Sequence, residues 1–144
     1  MASENKRVLA AKQLSEDSGH RFTDLRKLVY ARIIKSKKPL KAYDILEDIK
    51  QSDYSAKPPT VYRTLDFLIS LGLIHKIESD NSFIACSHPN EHSECFFMTC
   101  EKCNDTKEIC ADSIKSQIEK KLSDSNFKLS NINLEVRGLC SKCA

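Results

Sequence analysis

Four cysteines near the C-terminal end carry the clearest chemistry in this chain: Cys100 and Cys103 in Cys-Glu-Lys-Cys, and Cys140 and Cys143 in Cys-Ser-Lys-Cys. Thiolates separated by two intervening residues grip one ion from a tight turn, and two such turns supply the four sulfurs that structural Zn2+ takes. A disulfide framework fits less well. Seven cysteines leave one unpaired, and no apolar segment follows the charged N-terminal residues as a secretory leader would require. The 36 residues between the pairs exceed the spacer of a compact ribbon site, so a helix and a strand must lie between them.

A second set of donors is more scattered. His75 and Cys86 fall near opposite ends of one expected hairpin, His92 follows in a polar loop, and Glu108 lies on the strand after Cys103. Two imidazoles, a thiolate and a carboxylate make a mixed tetrahedron that Zn2+ accepts. His88, two residues after Cys86, is the rival to His92 as the second imidazole. Cys95 and Cys110 read as packing thiols on strands, and His20 lies away from both clusters. The run His92-Ser93-Glu94 before Cys100-x-x-Cys103 superficially echoes a zinc-deaminase signature, but Thr99 stands where that signature has proline. If the residues before Cys100 form a strand, His92 sits on the order of 26 Å from Cys100, too far to share an ion with it. A hydrolase is therefore set aside, no catalytic residues are assigned, and no small-molecule substrate is expected.

The elements that must position these donors follow from periodicity. Residues 4–17 read as a polar helix ending near Gly19, and residues 23–36 as a helix capped by Thr23 with Leu25, Leu28, Val29 and Ile33 facing a core. Ala42, Ile45, Leu46 and Ile49 form one helical stripe. After a loop at 52–56, Pro58 and Pro59 suit a helix start, and Gly72 suits its stop. The β-prone runs 73–77 and 82–86 make a hairpin. Helices followed by a hairpin make a winged helix-turn-helix, whose last helix enters the DNA major groove. On that helix Arg63 offers a fork to a guanine edge, while Tyr62, Thr60 and Lys57 can bond phosphates; Tyr43 on the preceding helix is a further candidate. Residues 87–93 read as a hinge, residues 95–99 and 106–110 as strands, 111–124 as an amphipathic helix and 127–136 as a third strand. The expectation is an α+β chain: a winged-helix domain over 1–86, the hinge, and a small α/β dimerisation domain over 94–144.

Composition agrees with that division. Net charge is +3, yet residues 1–80 hold 15 Lys and Arg against 11 Asp and Glu, while residues 81–144 hold 8 against 9. The basic excess lies in the half without the Cys-x-x-Cys pairs, where a phosphate backbone is the expected partner. No segment is apolar enough to span a membrane, so a soluble, cytoplasmic protein with reduced thiols is expected.

The runs Ala42-Tyr-Asp-Ile-Leu46, Lys57-Pro-Pro-Thr-Val-Tyr-Arg-Thr-Leu-Asp-Phe-Leu68 and Gly72-Leu-Ile-His-Lys-Ile-Glu-Ser79, with the two Cys-x-x-Cys pairs, resemble the ferric uptake regulator family, and most closely its zinc-uptake branch. The resemblance extends from about residue 19 to 143 and implies a homodimeric repressor that binds double-stranded operator DNA and carries two zinc ions per chain. Cys100, Cys103, Cys140 and Cys143 match its structural zinc ligands; His75, Cys86 and Glu108 match regulatory ligands, with His92 supplying the remaining histidine. Tyr43 and Arg63 match positions that read bases, and Tyr62 a phosphate contact. Two features depart from the pattern: the segment after Cys86 differs in length, which leaves His88 open, and Lys41 replaces a capping Ser. The iron- and peroxide-sensing members rely on histidines in the last strand, where this chain has Asn131-Ile-Asn-Leu134.

Overall fold

The computed structural model describes residues 2–52, 56–89 and 95–144. It divides into two compact units, Met1–Pro89 and Asn90–Ala144. The positions 90–94, including His92 and part of the expected hinge, and positions 53–55 of the expected loop, lie outside the described residues.

The first unit contains α1 (Ala2–Asp17), α2 (Asp24–Lys35), β1 (Leu40–Lys41), α3 (Ala42–Ser52), α4 (Pro58–Ser70), β2 (Ile74–Ile77) and β3 (Ser82–Ala85). Helix α2 starts where its cap is: Thr23 is extended, and its hydroxyl accepts from the Arg26 N–H at 3.3 Å. Helix α4 opens on the two prolines, whose missing N–H groups cost nothing in a first turn. It closes on Gly72, whose φ of 71° lets its N–H reach the Ile69 carbonyl and the Leu73 N–H reach that of Leu68. This turn throws the chain directly into β2. Apolar faces of α2, α3 and α4 meet in a core built on Val29, Tyr30, Ile33, Ile45, Val61, Leu65 and Leu68. Arg32 of α2 donates to the Asp48 carboxylate of α3 at the edge of that core.

The wing is larger than the sequence suggests. Its expected two-stranded hairpin is a three-stranded antiparallel sheet of order β1-β3-β2, with Leu40 opposite Phe83 and His75 opposite Ile84. Strand β1 escapes the sequence because two residues carry no period, and because Lys41 passes straight into α3.

The second unit contains β4 (Cys95–Cys100), β5 (Thr106–Cys110), α5 (Asp112–Leu122), a 3-10 turn at Ser123–Ser125 and β6 (Glu135–Gly138). Its sheet has the order β5-β4-β6, with β5 antiparallel and β6 parallel to β4. The strand expected over 127–136 is corrected to Glu135–Gly138. Continuing the observed register of Phe97 with Glu135 backwards sets Asn133 level with Cys95, so residues 127–132 overrun the start of β4. Alternating hydrophobicity marks a face, not the presence of a strand alongside.

Leu68 has no exposed surface and sits where α4 meets the other helices. Leu68→Ala is expected to lower stability by about 2–5 kcal/mol. Urea unfolding followed by helical circular dichroism checks this, and a loss below that range would show that the site collapses around the smaller side chain.

Candidate metal centres and nucleic-acid face

Parallel pairing of β4 with β6 explains how the two Cys-x-x-Cys pairs meet. Cys100 ends β4 opposite Gly138, which ends β6, so the two cysteine turns leave the sheet side by side. Backbone bonds fix each turn: the Glu101 N–H donates to the Gly138 carbonyl, the Asn104 N–H to that of Cys100, and the Cys143 N–H to that of Cys140. Asn104 accepts a left-handed φ of 58° to close the first turn. The sulfurs of Cys100, Cys103, Cys140 and Cys143 all lie within 4.8 Å of one another. Bonds of about 2.3 Å in a regular zinc-sulfur tetrahedron give sulfur-sulfur edges of about 3.8 Å. The Cys103 and Cys140 sulfurs stand 3.8 Å apart.

Electrostatics in the cluster are uneven. Backbone N–H groups, that of Cys103 first and those of Cys140 and Lys102 next, hold the Cys100 thiol down to about 6. Hydrogen bonding to Cys140, with burial and the neighbouring sulfurs, pushes Cys143 up to about 12. Four thiolates cannot coexist at this separation alone. A divalent cation among them supplies the charge that lets all four ionise, and they would close its coordination sphere with no position left for water. The residues fit zinc in a structural role.

The scattered donors are placed as follows. His75 lies on β2 opposite Ile84, and Cys86, two residues beyond Ile84, donates its N–H to the Leu73 carbonyl at 2.9 Å. Residues two apart share a face, so His75 and Cys86 are diagonal neighbours on one side of the hairpin. Cys86 is 3% exposed. His88 is exposed, His92 lies outside the described residues, and Glu108 belongs to the second unit, opposite Phe97 on β5. One residue near this set has no signature in the sequence. Arg7 of α1 reaches 79 positions along the chain to donate to the Cys86 carbonyl at 2.8 Å. It also bonds Tyr30, whose hydroxyl is nonetheless raised above its ordinary range, chiefly by burial.

Cys95 and Cys110 correct the reading of packing thiols. They face each other across β4 and β5 and are joined as a disulfide.

The candidate nucleic-acid residues are all in the first unit and all reach solvent. Lys57, Thr60, Tyr62 and Arg63 are exposed along the start of α4, and Tyr43 is exposed on α3. The two tyrosines, 69% and 55% exposed, line a groove of about 360 Å³ together with Lys41, Asp66, Lys76 and Asn81. Lys41 and Lys76 are cations the sequence reading did not assign to this face. Lys41 enters from β1, directly before α3, which carries Tyr43, and Lys76 from β2, which lies beside α4.

Comparison with known proteins bears on both features. The sequence model of the ferric uptake regulator family matches residues 17–137. The zinc uptake regulation protein of Escherichia coli strain K12 is 37% identical over 106 residues, 72% of this chain and 61% of that protein. The chain thus spans less than two thirds of that relative's length. A solved zinc uptake regulator complexed with zinc and DNA is 29% identical, with a TM-score of 0.92 over 96% of this chain and 93% of that one. The crystal structure of holo XcZur is 37% identical, with a TM-score of 0.87 over 96% of both chains.

Cys140→Ser tests the four-sulfur centre. The variant is expected to purify with about one fewer zinc per chain and with its second unit unfolded, because a structural zinc contributes its binding energy to folding. Protease resistance of residues 95–144 checks this, and a variant that loses the metal yet keeps full resistance would contradict the structural role.

Proposed function

This chain belongs to the ferric uptake regulator family, and from that membership we propose a zinc-responsive transcriptional repressor. It acts in the cytoplasm as a homodimer, binds operator DNA when a regulatory zinc site is filled, and thereby controls zinc-uptake genes. The DNA-binding domain comprises residues 1–86 and the dimerisation domain residues 94–144, joined through residues 87–93. Each chain takes two zinc ions, one structural at Cys100, Cys103, Cys140 and Cys143, and one regulatory at His75, Cys86, His92 and Glu108, with His88 as the alternative imidazole.

The observation that carries the zinc assignment is His75 and the buried Cys86 on one face of the wing hairpin. A soft thiolate beside an imidazole favours zinc over the harder Fe2+. The absence of histidine from Asn131-Ile-Asn-Leu134 also disfavours an iron- or peroxide-sensing site. Likeness to a regulator solved with zinc and DNA supports the same reading. For DNA, Arg63 and Tyr43 read base edges in the major groove, while Lys57, Thr60 and Tyr62 hold phosphates. For the dimer, Met98 and Val136 pair across β4 and β6 and remain exposed beside exposed Leu139, an apolar surface suited to a second copy. Catalysis has no place in this proposal, because the four-sulfur set and the four-donor regulatory set each fill a tetrahedral sphere and leave no coordination position for a reacting water.

Zinc acts by differential affinity. Donors drawn from both units favour one arrangement of the chain only by as much as that arrangement binds zinc better. Raising a DNA-competent state from 1% to 99% of the population takes about 5.5 kcal/mol. Apparent zinc binding at structural sites reaches about 10–16 kcal/mol, so the requirement is modest.

The test begins with DNA selected by the zinc-loaded protein from a random pool, followed by gel-shift titration in buffered zinc, iron and manganese. Zinc is expected to stimulate binding by a factor on the order of 5–150. Cys86→Ser should remain a folded dimer and lose that stimulation. Equal zinc stimulation in Cys86→Ser, or stronger stimulation by iron in the unmodified protein, would overturn the assignment.

A further inference from the structure

Cys95 and Cys110 are used by neither metal centre above, yet they sit beside a donor. Cys95 is directly opposite Cys110 in the β4–β5 pairing, and Glu108 is two residues before Cys110 on the same strand. All three side chains therefore stand on one face of the sheet. One donor atom from each lies within 4.8 Å of the other two, and the Cys110 sulfur is 3.9 Å from a Glu108 carboxylate oxygen.

We propose that Cys95, Cys110 and Glu108 form a redox-gated metal site: as two thiolates and a carboxylate they hold a thiophilic divalent cation, and as a Cys95–Cys110 disulfide they release it. Two sulfurs, one oxygen and a water make a tetrahedral set suited to zinc or cobalt and poor for magnesium or calcium. A hydroperoxide closes the gate. One thiolate attacks the peroxide, the O–O bond breaks, and a sulfenic acid and hydroxide form. The second sulfur then attacks the first, the S–S bond forms, and the sulfenic oxygen leaves as water. In sum, two thiols and one hydrogen peroxide give one disulfide and two waters; the sulfurs lose two electrons and the peroxide gains them. The cation, left with Glu108 alone, passes to solvent. A dithiol reductant reverses the change by thiol–disulfide exchange. The site lies within the second unit but shares Glu108 with the regulatory set proposed above, so the two sites compete for that carboxylate and the new one is read with the regulatory thiolate removed.

The test uses full-length Cys86→Ser, which lacks the regulatory thiolate, with its four-sulfur centre filled by zinc. After reduction and removal of the reductant, Co2+ titration should show about one additional cobalt per chain with a thiolate-to-cobalt charge-transfer band. One equivalent of hydrogen peroxide should abolish the band, peptide mapping should find Cys95 joined to Cys110, and a dithiol should restore both. Adding Cys95→Ser should eliminate the band while the zinc content is unchanged. A band that survives Cys95→Ser, or survives formation of the mapped disulfide, overturns the proposal, as does the absence of any thiolate band in the reduced protein. Failure of the regulatory reading would appear elsewhere, as zinc-stimulated DNA binding that persists in Cys86→Ser.

Discussion

Four sulfurs crowded at the ends of two parallel strands cannot all be ionised unless a cation lies among them, and the architecture of the second unit depends on that constraint. Its sheet has three short strands, and only Phe97, Cys100 and Thr106 of its strand residues are buried. A core that small yields little hydrophobic stabilisation, so a metal staple is the expected substitute. The parallel register of β4 with β6 serves the staple by delivering Cys100–Cys103 and Cys140–Cys143 to the same end of the sheet. The chain from β4 to β6, passing through β5 and α5, makes the crossover such a parallel pair requires.

The first unit is held by different physics. It has a true helical core, and its polar work is done at element ends: the Thr23 cap, the two prolines of α4 and the left-handed Gly72. Those same ends place the functional residues. Gly72 turns the chain so that β2 begins at once, which fixes His75, and the wing sheet brings Lys41 and Lys76 beside Tyr43 and Tyr62. Arg7 adds a tie from α1 to the Cys86 carbonyl, connecting the first helix to the end of the wing. In the proposed repressor this puts a candidate ligand on the element that flanks the DNA-reading helix.

Much of this was legible from residue types. The helical stripes in α2 to α4, the caps and breakers, and the Cys-x-x-Cys spacing are local signals, and each reports directly on a nearby backbone. What escaped depends on distant pairing. Strand β1 has two residues and no period; the last strand is misplaced because the alternation begins at 127–132, before the start of its parallel partner; Arg7 and Cys86 are 79 positions apart. The Cys95–Cys110 pair belongs to the same class, since only the β4–β5 register sets the two side chains opposite each other. Within the regulatory set, the hairpin register supports grouping His75 with Cys86, while His92 and His88 offer the same imidazole and His92 is taken from the family resemblance.

The central claim is that one zinc ion and operator DNA bind this protein as thermodynamically linked ligands. Linkage is reciprocal, so the factor by which zinc tightens DNA binding must equal the factor by which DNA tightens zinc binding. The direct measurement is the zinc affinity of protein whose structural centre is already filled, determined by competition with a calibrated chelator in the presence and absence of saturating operator. The account predicts tighter zinc binding with DNA, by the same factor that gel-shift titration gives for zinc on DNA. Zinc affinity that is identical with and without the operator would contradict it.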